Sequence, residues 1–541
     1  MTNKTLNSMQ FLWILMVFLN IGLEASPITR SDIVIYGGSS CGVIAAAQAA
    51  QMGKSVVLIE PSKHLGGITS SGLGWVDVNN PHAIGGLTSK YFHHIWHYYQ
   101  QDASWIWEVK HPIKGQLMQF HPEQKLMWVL EPHVAEKYFN IFASHPNITV
   151  IRNEQLNRKN GVSMLKSKIT LIKMKSGRRF SGKMFIDASY EGDLMAASNV
   201  SYIVGRESNN YYNETMNGIH YNTPKINIDP YIIKGNPQSG LLPRLYLKSE
   251  ESEGNGDNRV QAYNYRMCLT DVSENQVRIK KPKGYDERQY EIVFRAIEAG
   301  SSIDSFFKLD LLPNRKTDSN NKGLISTDYV GMNWNYPETN YAARKQIARK
   351  HELWQRGLMW TLQNHPRVPN NIKAHYAPWG LAKDEFIDNK NWPYQLYIRE
   401  ARRMISPLVI TEHTALGHIV VDDSIGLASY SMDSHYTKYI LGSNGFLGAD
   451  GGMFKKVLRP YPISYQAIVP NKLQCKNLLV PVCLSASHAS YGSIRMEPTF
   501  MILGQSAATA ASLAIDLNLA IQDLPYSILR QQLLADGQVL Y

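Results

Sequence analysis

The run SDIVIYGGSSCGVIAAAQAAQMGKSVVLIE, Ser31–Glu60, admits few folds. Asp32–Tyr36 reads as a short apolar strand and Gly37–Gly42 as a turn. Gly42–Gln51 reads as an alanine-rich helix, and Ser55–Ile59 as a second strand ending on Glu60. Strand, turn, helix, strand is the βαβ unit that binds dinucleotides, because the turn opens a helix whose N–H groups and dipole receive a pyrophosphate. An acid about 20 residues further on accepts the ribose hydroxyls, and Glu60 holds that place. In the pattern G-x-G-x-x-G, Gly37 and Gly42 fill the outer positions. Ser39 takes the middle one, where glycine would let the backbone come closest to the phosphates. Gly38, Ser40 and Cys41 complete the turn.

With 541 residues, 44% of them hydrophobic and 19% charged, the chain can bury a large core and is neither disordered nor fibrous. A formal charge of +11 raises the question of a nucleic-acid partner. The densest basic runs, Lys173–Lys183 and Arg278–Lys283, are short, and the first straddles a Ser176-Gly177 turn as a hairpin would. Without a basic helix or a basic stretch interleaved with aromatics, nucleic acid is excluded as the expected partner.

Lys4 precedes an apolar run from Phe11 to Leu23, with Ala25-Ser26 as a cleavage point. Residues 1–25 read as a secretory signal peptide, the alternative being an uncleaved anchor; no stable membrane span is expected once it is cut. The expected location is therefore outside the cell or in the secretory lumen, where the sequons at Asn147, Asn199 and Asn213 are glycosylation candidates. Of the four cysteines, Cys41 lies in the turn, and Cys475 and Cys483 flank an apparent strand, Asn477–Val482. That strand would hold the last pair roughly 25 Å apart, beyond disulfide reach. No Cys/His spacing matches a structural zinc site, and the i, i+4 pair His93 and His97 lacks a third ligand, so no metal is expected.

Pro61–Gly74 is too rich in glycine for regular structure, and Gly66-Gly67 suits backbone running beside a long cofactor. Helices are expected over 83–99 and 123–142, a strand over 148–151, and a hairpin over 167–184. The hairpin leads into Phe185-Ile-Asp-Ala-Ser-Tyr-Glu-Gly-Asp193, a strand that ends on an acid before a small-residue turn. Residues 206–440 differ, with polar loops at 250–258 and 314–323 and helices expected at 286–299, 340–363 and 393–404. On the last helix Arg399, Arg402 and Arg403 would share a face, either as an ion-pair cluster with Glu400 or as guanidinium groups for a polar or anionic ligand. The chain closes with a Ser485–Thr499 loop and an apolar helix from Pro498 to about Ile515.

These pieces, with Leu396–Arg403 and His488–Gln505, occur in an order that resembles FAD-dependent oxidoreductases of the glutathione-reductase-type fold, distantly similar to fumarate reductase flavoproteins. The resemblance implies an α/β protein with a Rossmann-like FAD-binding domain built from both chain ends, residues 26–205 and 441–541. An α+β substrate domain, 206–440, would be inserted between them. It implies that Gly37–Gly42 hold the pyrophosphate, Glu60 the adenosine ribose, Gly66 and Gly67 the pyrophosphate and ribityl path, and Asp193 the far phosphate side. Gly492, Ser493, Arg495, Pro498 and Thr499 would wrap the isoalloxazine, and His64 would approach it closely enough to be a covalent attachment point. No second glycine fingerprint supports an NAD(P)H domain. The chemistry implied is oxidation of a polar small molecule by hydride transfer to flavin N5, with reoxidation by dioxygen or another extracytosolic acceptor. His435 or His488 would act as base, while Arg399, Arg402 and Arg495 position substrate or stabilise the reduced flavin. The alternatives are reduction of an activated double bond, with an arginine as proton donor, and a secreted FAD-binding protein without catalysis.

Overall fold

Four consecutive residues of the first strand, Ile33–Tyr36, are all buried, so both faces of that strand must be covered. This is the pattern of a central strand in a parallel sheet. The computed structural model describes residues 27–110, 120–121, 123–222, 226–248, 252–442 and 445–541; the signal peptide expected at 1–25 lies outside them. β1 (Ile28–Tyr36), α1 (Ser40–Gln51) and β2 (Val56–Glu60) form the expected βαβ unit, with Ile33 beside Val56 and Tyr36 beside Ile59. α2 (Gly86–Gln100) and α3 (Pro132–Phe142) follow, then β3 (Ile148–Arg152), β4 (Val162–Leu165), β5 (Lys168–Lys173) and β6 (Arg179–Asp187). The sheet runs β3-β2-β1-β6-β5-β4, and a short strand from the chain end pairs with β6 to make seven. Ile33 and Ile35 face the helices, whereas Val34 and Tyr36 face a second cluster with Ile172, Phe180 and Phe185.

The helix expected over 123–142 forms only from Pro132; Leu126–Met127 is a short strand. Proline is tolerated at the first helical position and pushes the residue before it out of helical geometry, and Glu131 is extended (φ −77°, ψ 145°). After α4 (Asp193–Ala197), the described residues add a five-stranded, a three-stranded and two two-stranded sheets. β7 (Tyr202–Val204) and β8 (Leu245–Leu247) precede β9 (Met267–Thr270), β10 (Gln276–Val277), β11 (Asp310–Leu312) and β12 (Lys316–Ser319). α5 (Tyr341–Asn364) is the long helix expected there, and β13 (Gly380–Ala382) completes a five-stranded sheet, β10-β13-β9-β12-β11. The expected polar loop at 314–323 is thus partly a strand, and Lys316, Thr317, Asp318 and Ser319 are all buried in it. They are buried because each charge has a partner: Lys316 meets Glu131 and Glu385, and Asp318 meets Arg266.

The expected helix at 393–404 is absent. The run is extended, with the Tyr397 N–H donating to the Asn264 carbonyl, and ends as β14 (Arg402–Met404) on β7. Helix propensity yields to tertiary charge pairing, since Arg399, Arg402 and Arg403 each reach a different buried carboxylate. β15 (Ser424–Ala428), β16 (Met432–Leu441), β17 (Leu447–Lys455) and β18 (Tyr461–Ser464) follow. β16 and β17 form one hairpin, so the expected division at 440/441 falls inside a single sheet.

The strand expected at 477–482 shrinks to β19 (Leu478–Leu479), and all four cysteines are free and buried. The expected 485–499 loop contains a short helix, α6 (His488–Ile494), before α7 (Glu497–Asp516). α7 is long and apolar enough to cross a membrane, yet it is buried as the core helix that lies against α1. Small residues allow that approach: a Cβ on Gly504 would stand 2.4 Å from the Cys41 carbonyl oxygen. Gly504→Ala is therefore expected to destabilise the fold by about 1–3 kcal/mol, read as a lower denaturant midpoint at unchanged m-value.

Candidate functional site

Two cavities stand on either side of the extended run at 396–399. The first, of 700 Å³, is lined by Gly37, Ser39, Glu60, Gly67, Tyr190 and Asp193 from the sheet domain and by Tyr341 and Arg344 of α5. The second, of 530 Å³, is lined by Asp77, Arg266, Tyr397, Tyr430, Asp433, His435 and Arg495, with lysines at its rim. Alternation along an extended backbone explains the division: Leu396 and Ile398 line the first cavity, Tyr397 the second.

The first cavity carries the features of a dinucleotide cradle. Gly37 sits at φ +103°, and a Cβ there would lie 2.6 Å from the Ser189 nitrogen. Gly67, at φ +58°, would place a Cβ 2.3 Å from the Tyr190 hydroxyl. Ser39 caps α1, accepting from the Gly42 N–H at 3.3 Å and donating to the Ala188 carbonyl at 2.7 Å. The first turn of α1 begins beside this cavity, and the N–H groups of a first helical turn are the donors a phosphate takes at a helix start. Glu60 Oε2 accepts from the Gly38 N–H at 2.7 Å and Oε1 from Ser62 at 2.7 Å, so the carboxylate is aimed and keeps lone pairs for hydroxyl donors. Burial pushes its pKa up against those bonds.

Behind the turn stands a residue that sequence reasoning passed over. Glu497, at the start of α7, is buried and accepts from Ser40 Oγ (2.6 Å), Thr69 Oγ1 (2.7 Å) and Tyr190 OH (2.8 Å). It ties α7 to α1, to the 66–74 segment and to the turn after β6; Pro498 and Thr499 are buried beside it in the same first turn. Its only sequence signal is its place one residue before Pro498. Gly66 packs on Phe139, and Cys41 is buried beneath Gly504.

Asp193 lines the first cavity but is committed to Arg344 (2.7 and 3.0 Å), Arg402 (2.9 Å) and Arg158 (3.2 Å). Burial raises its pKa and these cations overcome that, holding the carboxyl low. It therefore anchors α5 to the sheet domain and is not a phosphate donor. Arg402 stays with it, and with Glu338 at 2.7 Å, away from the second cavity. His64 lines the first cavity near Glu60, stacked on Tyr394, with Nδ1 2.9 Å from Glu136 and Nε2 3.3 Å from Asp388. With both ring nitrogens engaged at the ribose-acid end, it does not support covalent attachment of a flavin.

In the second cavity a chain of polar groups closes on itself. Arg495 donates to the Tyr397 hydroxyl (2.8 Å) and to Asp433 Oδ2 (2.8 Å). Asp433 lies 3.5 Å from His435 Nε2, and His435 Nδ1 is 2.7 Å from Asp328. Asp328 pairs with Arg399 at 2.9 Å, and that guanidinium lies 4.9 Å from the Tyr397 ring centre. Burial pushes Asp433 up, but His435 and Arg495 outweigh it and hold the carboxyl at about 2. Asp328 is likewise held low, by Arg399 and His435 against its burial. Of the sequence candidates, His435 and Arg495 line this cavity while Arg399 stands behind it. Asp433 could have been found from strand alternation, being two residues before His435. Asp77, Asp328 and Tyr397 carried no local signal.

His488 lines neither cavity. It is buried between Glu400 (Nδ1 to Oε2, 2.8 Å) and Ser434 Oγ (3.1 Å from Nε2), fixing α6 on β16. Gly492 and Ser493 serve the same contact: a Cβ on Gly492 would meet the Asp433 carbonyl at 2.6 Å, and Ser493 donates to the Tyr430 carbonyl at 2.5 Å. Glu131, His133 and Glu385 form a cluster with metal-like spacing, but the Lys316 ammonium already lies 2.7 Å from Glu131 and 2.6 Å from Glu385. Asn147, Asn199 and Asn213 are exposed.

The family model for FAD dependent oxidoreductases matches residues 32–533, and the chain belongs to that family. No curated protein matches. Similar solved structures include L-proline dehydrogenase from P. horikoshii, at 13% identity over 34% of this chain and 59% of that one (TM-score 0.24). They also include L-alpha-glycerophosphate oxidase from Mycoplasma pneumoniae with FAD bound, at 16% over 33% and 60% (TM-score 0.22). L-amino acid deaminase from Proteus vulgaris matches at 12% over 35% and 54% (TM-score 0.22). The chain spans less than two thirds of each of these. The protein is an FAD-dependent oxidoreductase with a Rossmann-like α/β fold, and FAD is its cofactor.

The buried Glu400 gives a test of the frame around the second cavity. Burial raises its pKa, but His488 and Arg403 outweigh that and lower it from 4.5 to about 2. A depressed carboxylate contributes stability above its unfolded pKa and loses it as pH falls through the folded value. Glu400→Gln is expected to cost about 3–5 kcal/mol at pH 7, with the deficit shrinking as pH falls from 4.5 towards 2, measured by denaturant unfolding across that range.

Proposed function

We propose that this enzyme oxidises a polar small molecule in the 530 Å³ cavity, passing the electrons to FAD held in the adjoining 700 Å³ cavity. The observation that carries the reading is the single layer, Leu396–Ile398, whose side chains alternate between the two spaces. Gly37–Gly42, Glu60, Gly66 and Gly67 would hold the cofactor, with the start of α1 turned to its phosphates. Bound FAD supplies a two-electron acceptor, at N5, for a hydride from a C–H beside oxygen or nitrogen. The protein's share is orientation and charge: Arg495 and Tyr397 offer donors to a substrate oxygen, and Arg495 Nε has no partner among the described residues.

Oxidation is favoured over reduction of a double bond because the arginines lining this cavity are tied to carboxylates, Arg266 to Asp318 at 2.6 Å and Arg495 to Asp433 at 2.8 Å. Such pairing stabilises the protonated guanidinium, which opposes its use as a proton donor. We further propose that the enzyme works in a secretory or extracellular setting with dioxygen or another extracytosolic acceptor. The signal-like residues 1–25 and the exposed sequons support this.

The purified protein is expected to be yellow, and anaerobic addition of sugars, polyols, amines or hydroxy acids should find a compound that bleaches the flavin absorbance. A flavin that light or dithionite reduces but no such compound does would overturn the oxidative reading.

A further inference from the structure

We propose that Asp77 takes the proton from the substrate, an inference that rests on the oxidative function above. Asp77 belongs to the same segment as Gly67; that segment lines the cofactor cavity and continues into the wall of the second. Among the carboxylates and histidines of that wall it is the one without an ion pair among the described residues. Both ring nitrogens of His435 face carboxylates, and Asp433 is held by Arg495 and His435. Tyr397 accepts from Arg495, and Lys322 is paired with Asp304. Asp77 receives one long hydrogen bond, from the Tyr430 hydroxyl at 3.3 Å, and makes no ion pair among the described residues.

The charged groups facing Asp77 are Arg266, Arg495 and Lys308, which favour its ionised form, and Asp433, which opposes it; Tyr430 is its hydrogen-bond donor. Arg266 and Arg495 are also bound to Asp318 and Asp433. Burial pushes the Asp77 carboxyl up further than the cations bring it down. A carboxylate raised towards the working pH is a better base than one held at about 2.

In the step, the substrate O–H bond breaks and its proton joins a carboxylate oxygen of Asp77. The freed electron pair forms the C=O π bond, and the C–H hydrogen leaves with its bonding pair as hydride to FAD. Substrate loses two electrons and two hydrogens, and the protonated Asp77 returns its proton to water through the open cavity.

The test compares FAD-loaded wild type with Asp77→Asn and His435→Asn. With a reductant from the anaerobic screen, Asp77→Asn is expected to slow flavin reduction at least about 100-fold, leaving FAD content and spectrum unchanged. Asp77→Glu should recover part of the rate. Thermal melting gives a readout independent of turnover. A carboxyl whose folded pKa is raised contributes stability below its unfolded value and loses it as pH rises. Asp77→Asn should therefore melt no lower than wild type near neutral pH, with a gap in its favour that opens as pH rises above 3.8. Wild-type reduction rates in Asp77→Asn, or a lower melting temperature at neutral pH, would overturn the inference while leaving the oxidative reading intact. A wild type that nothing in the screen reduces would overturn both.

Discussion

Buried charge pairing between the sheet domain and the middle of the chain is the interaction on which the rest depends. The run from Tyr397 to Arg403 passes between the two, and Arg399, Arg402 and Arg403 leave it towards Asp328, Asp193 and Glu207. A guanidinium without a partner in such surroundings is costly, and breaking a buried pair typically costs several kcal/mol. Arg402 on Asp193 joins the two halves, as do Arg344 on Asp193 and Arg495 on Asp433, while Arg399 on Asp328 and Arg403 on Glu207 fasten the run within the middle of the chain. Apolar packing brings α1 and α7 together, whereas the cavities owe their shape to this charge register.

The same pairing explains what could be read from the sequence. The βαβ unit was legible to within a few residues because its features are local: a buried strand, a cap at Ser39 and an acid at a fixed distance. The long helix α5 was legible for the same reason, with Asn340 capping it through the Ala343 N–H. Local reading failed at residues 316–319, a wholly polar strand, and at 393–404, an arginine-rich run that resembles a helix surface. In both places polar residues are buried because carboxylates distant in sequence meet them, and no periodicity reports that. His488 misled in a related way: its neighbours Glu400 and Ser434 make it a strut between α6 and β16.

The two cavities differ in how they are built, and that difference sets how each can vary. Backbone N–H groups, glycine geometry and one carboxylate would make the proposed cofactor cradle, so its signature is spacing along one stretch of chain. The second cavity takes Asp77, Arg266, Tyr397, Asp433 and Arg495 from separate segments, with β16 alone supplying both Asp433 and His435. Lining residues such as Asn321 and Phe454 have no part in the ring of ion pairs, so they can change without disturbing the register that joins the two halves. On the proposed function, selectivity for one polar substrate over another would be free to reside among these residues, while the ring of ion pairs would keep the reacting groups in place.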